Sequence, residues 1–194
     1  MAEADFPSEF GHFRIHGFEG HFDDGRLEEC LALVIGDITG APPLVRIHSQ
    51  CLTGDVLHSL RCDCRNQLTA ALERIAEDGR GLLIYEHQEG RGIGLMNKLR
   101  AYALQDQGAD TVEANEALGF EADLRNFAMP AAILRHFGLR AVRFMSNNPD
   151  KIAALKLAGI EVSERVPIEM PALASREAYM RTKKTRLGHL LDNS

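Results

Sequence analysis

The sequence has no long apolar run, no basic excess, no internal repeat and no low-complexity tract. Its longest apolar stretches, such as LALVI (31–35) and GLLIY (81–85), are far too short to cross a bilayer, so no membrane partner is expected. The N-terminus, MAEADFPSEF, is acidic and lacks the basic-then-apolar form of a secretion signal. Together these absences predict a cytoplasmic protein. Thiols stay reduced there, and clustered cysteines serve metal binding or catalysis rather than disulfides. With 22 basic against 28 acidic side chains, the net charge is −6, and no basic stripe marks a nucleic-acid partner. The one local basic run, RTKKTR (181–186), reads as a solvated helix face. No composition break separates two domains, and 194 residues suit one, so residues 1–194 are read as a single domain.

What is present begins as β. FGHFRIHGFE (10–19) alternates, DDG (23–25) is a turn signal, and RLEECLALVIG (26–36) alternates around an apolar centre. LVRIHS (44–49) resumes after the break at GAPP, with Val45 and Ile47 on one face and Arg46 and His48 on the other. Short connections predict antiparallel pairing for these N-terminal strands. Helices are predicted at 66–81, with Leu68, Ala71, Leu72 and Ile75 inward and Gly79 as stop. Others follow at 95–108, with Leu95, Leu99, Tyr102 and Ala103 on one face, and at 130–138, 146–159 and 175–191. Strands fall between them at 81–85, 140–146 and 160–166. Alternating strands and helices predict an α/β fold: a layered α/β/α domain whose mixed sheet is partly parallel, with an antiparallel N-terminal β portion.

CLTGDVLHSLRCDC (51–64) holds three of the four cysteines. The C-x-C pair places two sulfurs within reach of one ion, and zinc prefers thiolate and imidazole in tetrahedral geometry. Four protein ligands would make a structural site; three would leave a position for water. Cys51, Cys62 and Cys64 are the first candidates, and Cys30, His48 and His58 stay open as a fourth. The next stretch, EHQEGRGIGLMNKLR (86–100), sets Gly90, Gly92 and Gly94 around Arg91 between a strand and a helix. Such a loop offers backbone N–H groups and a bidentate side chain to an anion, or is an ordinary glycine turn. In FEADLRNF (120–127), Asp123 and Arg125 share a face only if the stretch is extended.

Taken in order and at their spacings, VRIHSQCLTGD (45–55), LRCDCRNQL (60–68), QEGRGIGLMNKLRAYALQDQG (88–108), DTVEANEALGF (110–120) and SNNPDKIAALKLAGIEVSERVP (146–167) resemble GTP cyclohydrolase II of riboflavin biosynthesis. The resemblance runs from about residue 10 to LGHLL (187–191), without the additional synthase domain of bifunctional relatives, as in a standalone enzyme. It implies hydrolytic opening of the GTP imidazole ring, with zinc-bound water attacking C8, formate and pyrophosphate released, and 2,5-diamino-6-(5-phosphoribosylamino)pyrimidin-4(3H)-one left. Residue by residue, it implies Cys51, Cys62 and Cys64 as zinc ligands, with His48 and His58 off the metal and Cys30 in the core. GTP contacts fall at Arg46, Ile47, His48, Ser49, Gln50, Gln67, Glu89, Gly90, Arg91, Thr111, Ser146 and Lys151. Asp123 is implied as proton acceptor, Arg125 as nucleophile toward the α-phosphate and Tyr102 as the tyrosine beside the base and the water. A magnesium ion on the triphosphate and a homodimer belong to the same expectation. Arg125, as a permanent cation, suits charge stabilisation better than nucleophilic attack. Five positions depart from the family's usual residues: Gln50 for Glu, Arg65–Asn66 for a Gly–aromatic pair, Asn126 for Asp and Ser146 for Thr. Retention of Tyr102 argues against a relative that stops at a formamido intermediate.

Overall fold

The computed structural model describes residues 1–21, 25, 27–170, 182 and 184–191. Of the turn expected at 23–25 only Gly25 is described, and residues 175–181 and 183 of the helix expected at 175–191 lie outside the described residues, Arg181 and Lys183 of the basic run among them. The described part corrects that helix: it reaches Thr185, and residues 186–191 are turn and irregular backbone.

Seven strands form one sheet: β1 (Ala2–Ser8), β2 (Gly11–His21), β3 (Leu27–Ile35), β4 (Leu44–Ser49), β5 (Gly81–Glu86), β6 (Ala141–Met145) and β7 (Glu161–Val166). Their order is β1-β2-β3-β5-β4-β6-β7. The first three pair antiparallel in chain order, and β3 continues antiparallel onto β5. β4, in contrast, is parallel to both β5 and β6, and β6 is parallel to β7. The expected antiparallel N-terminal block therefore ends at β3. The fourth strand crosses into the parallel half, where β5 separates it from β3. β1 carried no alternation signal, and its pattern is largely exposed, as suits an edge strand.

The helices are α1 (Leu52–Asp55), α2 (Cys64–Asp78), α3 (Gly94–Gln105), α4 (Thr111–Ala117), α5 (Ala128–His136) and α6 (Pro149–Leu157). Of these, α2 covers one face of the parallel half and α5 and α6 the other, which completes the α/β/α layering. Alternate residues of one strand feed different layers because side chains alternate across a sheet. Val45, Ile47, Leu82 and Ile84 pack with Ile133, Leu134 and Leu155. Leu44 and Leu83 pack on the other side with Ala71, Leu72 and Ile75 of α2. With both faces covered, β4 and β5 are buried almost end to end, which explains why GLLIY reads as a run and not an alternation.

Local signals set several helix ends. Gly79 caps α2 at φ 70, a left-handed turn that costs glycine little. Asn148 caps α6 by accepting from Asp150 N, and Pro149 fills its first turn. α4 was not expected, yet Asp110 and Glu113 form a full capping box there. The face predicted for α3 is corrected. Lys98 and Ala101 are buried, while Leu99 is 42% exposed and Met96 61% exposed. Apolar spacing pointed to a core stripe, but the site behind the helix claims the face carrying Lys98.

Candidate active site

One cleft of about 550 Å³ opens at the carboxyl ends of β4, β5 and β6. The chain leaves β4 for β5 on one side, then returns past β4 to β6 on the other. The reversal splits the loops apart and leaves a crevice, the usual ligand position in open α/β sheets. The volume lies within the ~300–1,000 Å³ range of small-molecule sites.

One end of the cleft is made of sulfur. Cys51 follows β4, Cys64 opens α2, and the Sγ atoms of Cys51, Cys62 and Cys64 lie within 4.8 Å of one another. No other His, Cys, Asp or Glu among the described residues joins that group. His58 is exposed, and Cys30 is packed in the core with its thiol pushed up to about 12 by burial. Gly54 explains how the sulfurs converge: a Cβ there would sit 2.8 Å from Cys62 Sγ and 3.1 Å from Cys51 Sγ. Hydrogen bonds from Cys62 and Cys64, then the charge of Lys98, pull the Cys51 thiol far down. Their bonds to Cys51 push Cys62 and Cys64 up in turn. Three sulfurs crowded into one corner beside Lys98, with a cradle too tight for one more methyl, fit a thiophilic cation such as zinc.

Lys98 and Glu89 brace this end. Lys98 Nζ donates to Cys51 Sγ at 3.0 Å and to Glu89 Oε1 at 2.7 Å. Burial opposes its charge, but Glu89 and Cys51 hold it above the ordinary lysine range. Glu89 also accepts from Leu52 N at 2.6 Å and Gly90 N at 2.9 Å. The glycine loop is thus turned partly onto its own glutamate. Gly90, Arg91 and Gly92 all have positive φ (62, 59 and 91), and Arg91 takes that conformation without a glycine's freedom. Arg91 O accepts from Leu124 N at 3.0 Å, and a Cβ on Gly92 would meet the Leu124 backbone at 3.1 Å. Tyr102, one turn beyond Lys98, hydrogen-bonds Thr53 Oγ1 at 3.2 Å, and Thr53 Oγ1 is 3.7 Å from Cys51 Sγ. Burial raises the Tyr102 phenol's pKa.

The other end is cationic. Arg46 is buried, donates to Met145 O at 3.0 Å and to Gln67 Oε1 at 2.8 Å, and is lowered to about 10 by burial. Lys151 Nζ donates to Ile47 O at 3.0 Å and Ser49 Oγ at 2.9 Å. Burial, reinforced by Arg125 and Arg46 and opposed by Glu86, brings it down to about 7. Arg125 grips Asp123 through Nε at 2.8 Å and through a second nitrogen, and donates to Ser49 Oγ at 3.1 Å. The stretch is neither helix nor strand, and the two side chains meet directly. Burial resists ionisation of Asp123, but Arg125 outweighs it and holds the carboxyl below its ordinary value. His48 sits between the two ends. Its Nε2 lies 3.2 Å from both Asp55 oxygens, and burial lowers its pKa. Asp55 also takes Cys51 N at 3.0 Å and the Tyr85 hydroxyl at 2.9 Å. Two buried nitrogens of residues that line this space, Arg46 Nε and His48 Nδ1, have no hydrogen-bond partner among the described residues.

Most residues expected at the site line the cleft, including Gln50, Gln67, Gly90, Thr111 and Ser146. Two do not. Ile47 is fully buried and presents only its carbonyl, to Lys151, and Asp123 stands behind Arg125. Sequence reasoning missed Lys98, Thr53, Asp55 and Glu86. Only Lys98 left a trace: it is four residues before Tyr102, hence on the same helix face.

A family profile described as GTP cyclohydrolase II matches residues 1–167. GTP cyclohydrolase-2 of Actinobacillus succinogenes is 56% identical over 192 residues, covering 98% of this chain and 87% of the relative. GTP cyclohydrolase-2 of Shewanella amazonensis is 53% identical over 192 residues, covering 98% and 92%. Riboflavin biosynthesis protein RibBA of Bacillus mycoides is 54% identical over 191 residues, and the match covers 98% of this chain but only 47% of that longer relative.

Proposed function

Because the chain belongs to the GTP cyclohydrolase II family, we propose that it opens the imidazole ring of GTP by hydrolysis as a step of riboflavin biosynthesis. Formate and pyrophosphate leave, and 2,5-diamino-6-(5-phosphoribosylamino)pyrimidin-4(3H)-one remains. The observation that carries this reading is the pairing of a three-thiol corner with a buried cationic end in one cleft. Ring opening needs an activated water at C8, and pyrophosphate departure needs charge neutralised several ångströms away.

Cys51, Cys62 and Cys64 would hold zinc, whose Lewis acidity activates water toward C8. The chain's own residues do the rest. Lys98 offsets the negative charge that three thiolates gather. Tyr102, fixed by Thr53, orients groups at the reacting carbon. Arg46, Lys151, Arg91 and Arg125 converge on the phosphates, with magnesium on the triphosphate sharing the load. Gln50, Gln67, Thr111 and Ser146 supply neutral contacts, and Ile47 contributes backbone alone. Arg125 acts as an electrostatic stabiliser at the α-phosphate: it is a cation clamped by Asp123, with no free base to make it a nucleophile. Asp123 aligns Arg125 first. Its role as proton acceptor requires that pair to open, because a carboxyl held below its ordinary value is a weak base.

We further read residues 1–194 as one domain, acting in the cytoplasm as a homodimer. No helix among the described residues is long and apolar enough to cross a membrane. Exposed Met96 and Leu99 on α3, and Val56, Leu57 and Leu60 after α1, supply apolar surface for a second copy. The deciding assay incubates the protein with GTP, zinc and magnesium and quantifies formate against pyrophosphate. Equal yields are expected. Pyrophosphate without formate would overturn the full reaction, and neither product from zinc-loaded protein would overturn the enzyme reading.

A further inference from the structure

Glu86 ends β5 with no exposure, and nothing in the reaction above uses it. A buried carboxylate is costly unless paired, so its partners matter. It accepts the Ser49 hydroxyl hydrogen bond and, at 3.1 Å, one from Gln88 Nε2. Lys151 Nζ stands 3.5 Å from its Oε1. Ser49 Oγ in turn accepts from Lys151 Nζ at 2.9 Å and Arg125 Nη1 at 3.1 Å. One hydroxyl thus ties two cations to one carboxylate. Gln88 extends the network to the chain beside Arg125: it donates to Asn126 O at 2.6 Å and accepts from Asn126 N at 2.8 Å.

We propose that Glu86 is a positioning residue for the phosphate end of the cleft. It fixes the Ser49 hydroxyl and supplies the buried counter-charge that lets Lys151 and Arg125 stand side by side as cations before a phosphate arrives. The inference rests on the reading that this cleft takes GTP. The charges facing Lys151 are Glu86 from β5, Arg46 from β4, and Arg125 and Asp123 from the segment before α5, with the Phe127 ring 5.1 Å from Nζ. Among those charges Glu86 acts most strongly, against burial and against both arginines. Replacing it by glutamine keeps the shape and an acceptor but removes the charge. Lys151 then loses its proton more readily, and GTP meets a neutral amine at and above neutral pH.

The test is steady-state kinetics of Glu86→Gln on GTP across pH 6–9, with calorimetric titration of GTP in buffers of different ionisation enthalpy. KM should rise about tenfold near pH 8.5 and approach the wild-type value toward pH 6, since one unit of pKa is tenfold in protonation. The kcat at saturating GTP should stay within about threefold, and proton uptake per GTP bound should increase. Glu86→Asp should recover the wild-type pH profile. In a Lys151→Met background the pH-dependent part of the KM change caused by Glu86→Gln should vanish, leaving at most a small pH-independent change through Ser49 and Arg125. A KM change independent of pH in the wild-type background, or the same pH-dependent change in the Lys151→Met background, marks Glu86 as merely structural and overturns the proposal. If Glu86→Gln fails to fold, Glu86→Asp decides: a pH-independent loss overturns it, and a wild-type profile supports it. Wild-type protein that neither binds nor converts GTP would remove the functional reading, and this inference with it.

Discussion

The sulfur end and the cationic end of the cleft are built by opposite means. All three thiols come from residues 51–64. The cationic end is knitted across the whole fold: Lys151 reaches Ile47 over 104 residues of sequence, and Arg125 reaches Ser49 over 76. Charge is arranged oppositely as well. Thiols gather negative charge around one buried lysine, Lys98, whereas Arg46, Arg125 and Lys151 gather positive charge among the carboxylates of Asp63, Asp123 and Glu86. A chelating ion needs donors within a few ångströms, which a short turn supplies. A polyphosphate needs cations arriving from several directions, which only separate elements supply.

Experiments that break one end and spare the other sharpen this contrast. The largest effect is expected from Cys64→Ser. It should cut formate release by about a thousandfold or more by removing the Lewis acid, with zinc content lost and GTP binding by the cationic end retained. Undiminished turnover would refute the metal assignment. Lys151→Met is the mirror case: zinc stays bound, while KM for GTP rises by roughly 10–100-fold as a charge-assisted contact is lost. Unchanged KM would mean that the phosphates lie elsewhere. Gly54→Ala puts a methyl against Cys62 Sγ at 2.8 Å. Zinc affinity should fall about tenfold in a chelator competition, although alanine is the better helix residue. Equal affinity would show that the sulfurs have room to spare.

The smallest effect concerns stability. Lys151 is lowered to about 7 in the fold and returns to the ordinary lysine value of 10.5 on unfolding. Between those values the unfolded chain holds more protons, so stability should rise with pH across that window. Thermal melts from pH 7 to 10 should show the rise in wild type and not in Lys151→Met. A rise of the same size in both would shift the cause to another group.

The same asymmetry governs how much of the molecule its sequence discloses. C-x-C spacing made the sulfur end legible before any fold was known, although the fourth ligand stayed open until Cys30 appeared in the core and His48 on Asp55. Helices with clear stops, such as α2 and α6, were readable from Gly79 and from Asn148–Pro149. Glu86 was not readable. An acid at the end of an apolar strand looks like a solvated terminus, and only the return of α6 and residues 123–127 over it makes it the counter-charge of a cation pair. β4 was misassigned to the antiparallel block for a similar reason: its parallel neighbours follow it by dozens of residues. On α3 the apolar spacing was real, but Lys98 is drawn inward by sulfur and carboxylate and leaves Leu99 outside.

The distances along the chain also set an order in time. A ribosome has delivered every thiol by residue 64, and Lys98 soon after, while Lys151 emerges on the order of ten seconds after Cys64 at ~5–20 residues per second. We expect metal loading to be open to the nascent chain and nucleotide binding to await its last crossover. Ribosome-stalled chains ending between residues 98 and 151, outside the exit tunnel, should take up zinc but not GTP. Zinc uptake only by the finished chain would reverse that order. On this view the enzyme's supply of metal is settled during its synthesis, before a substrate molecule has anywhere to bind.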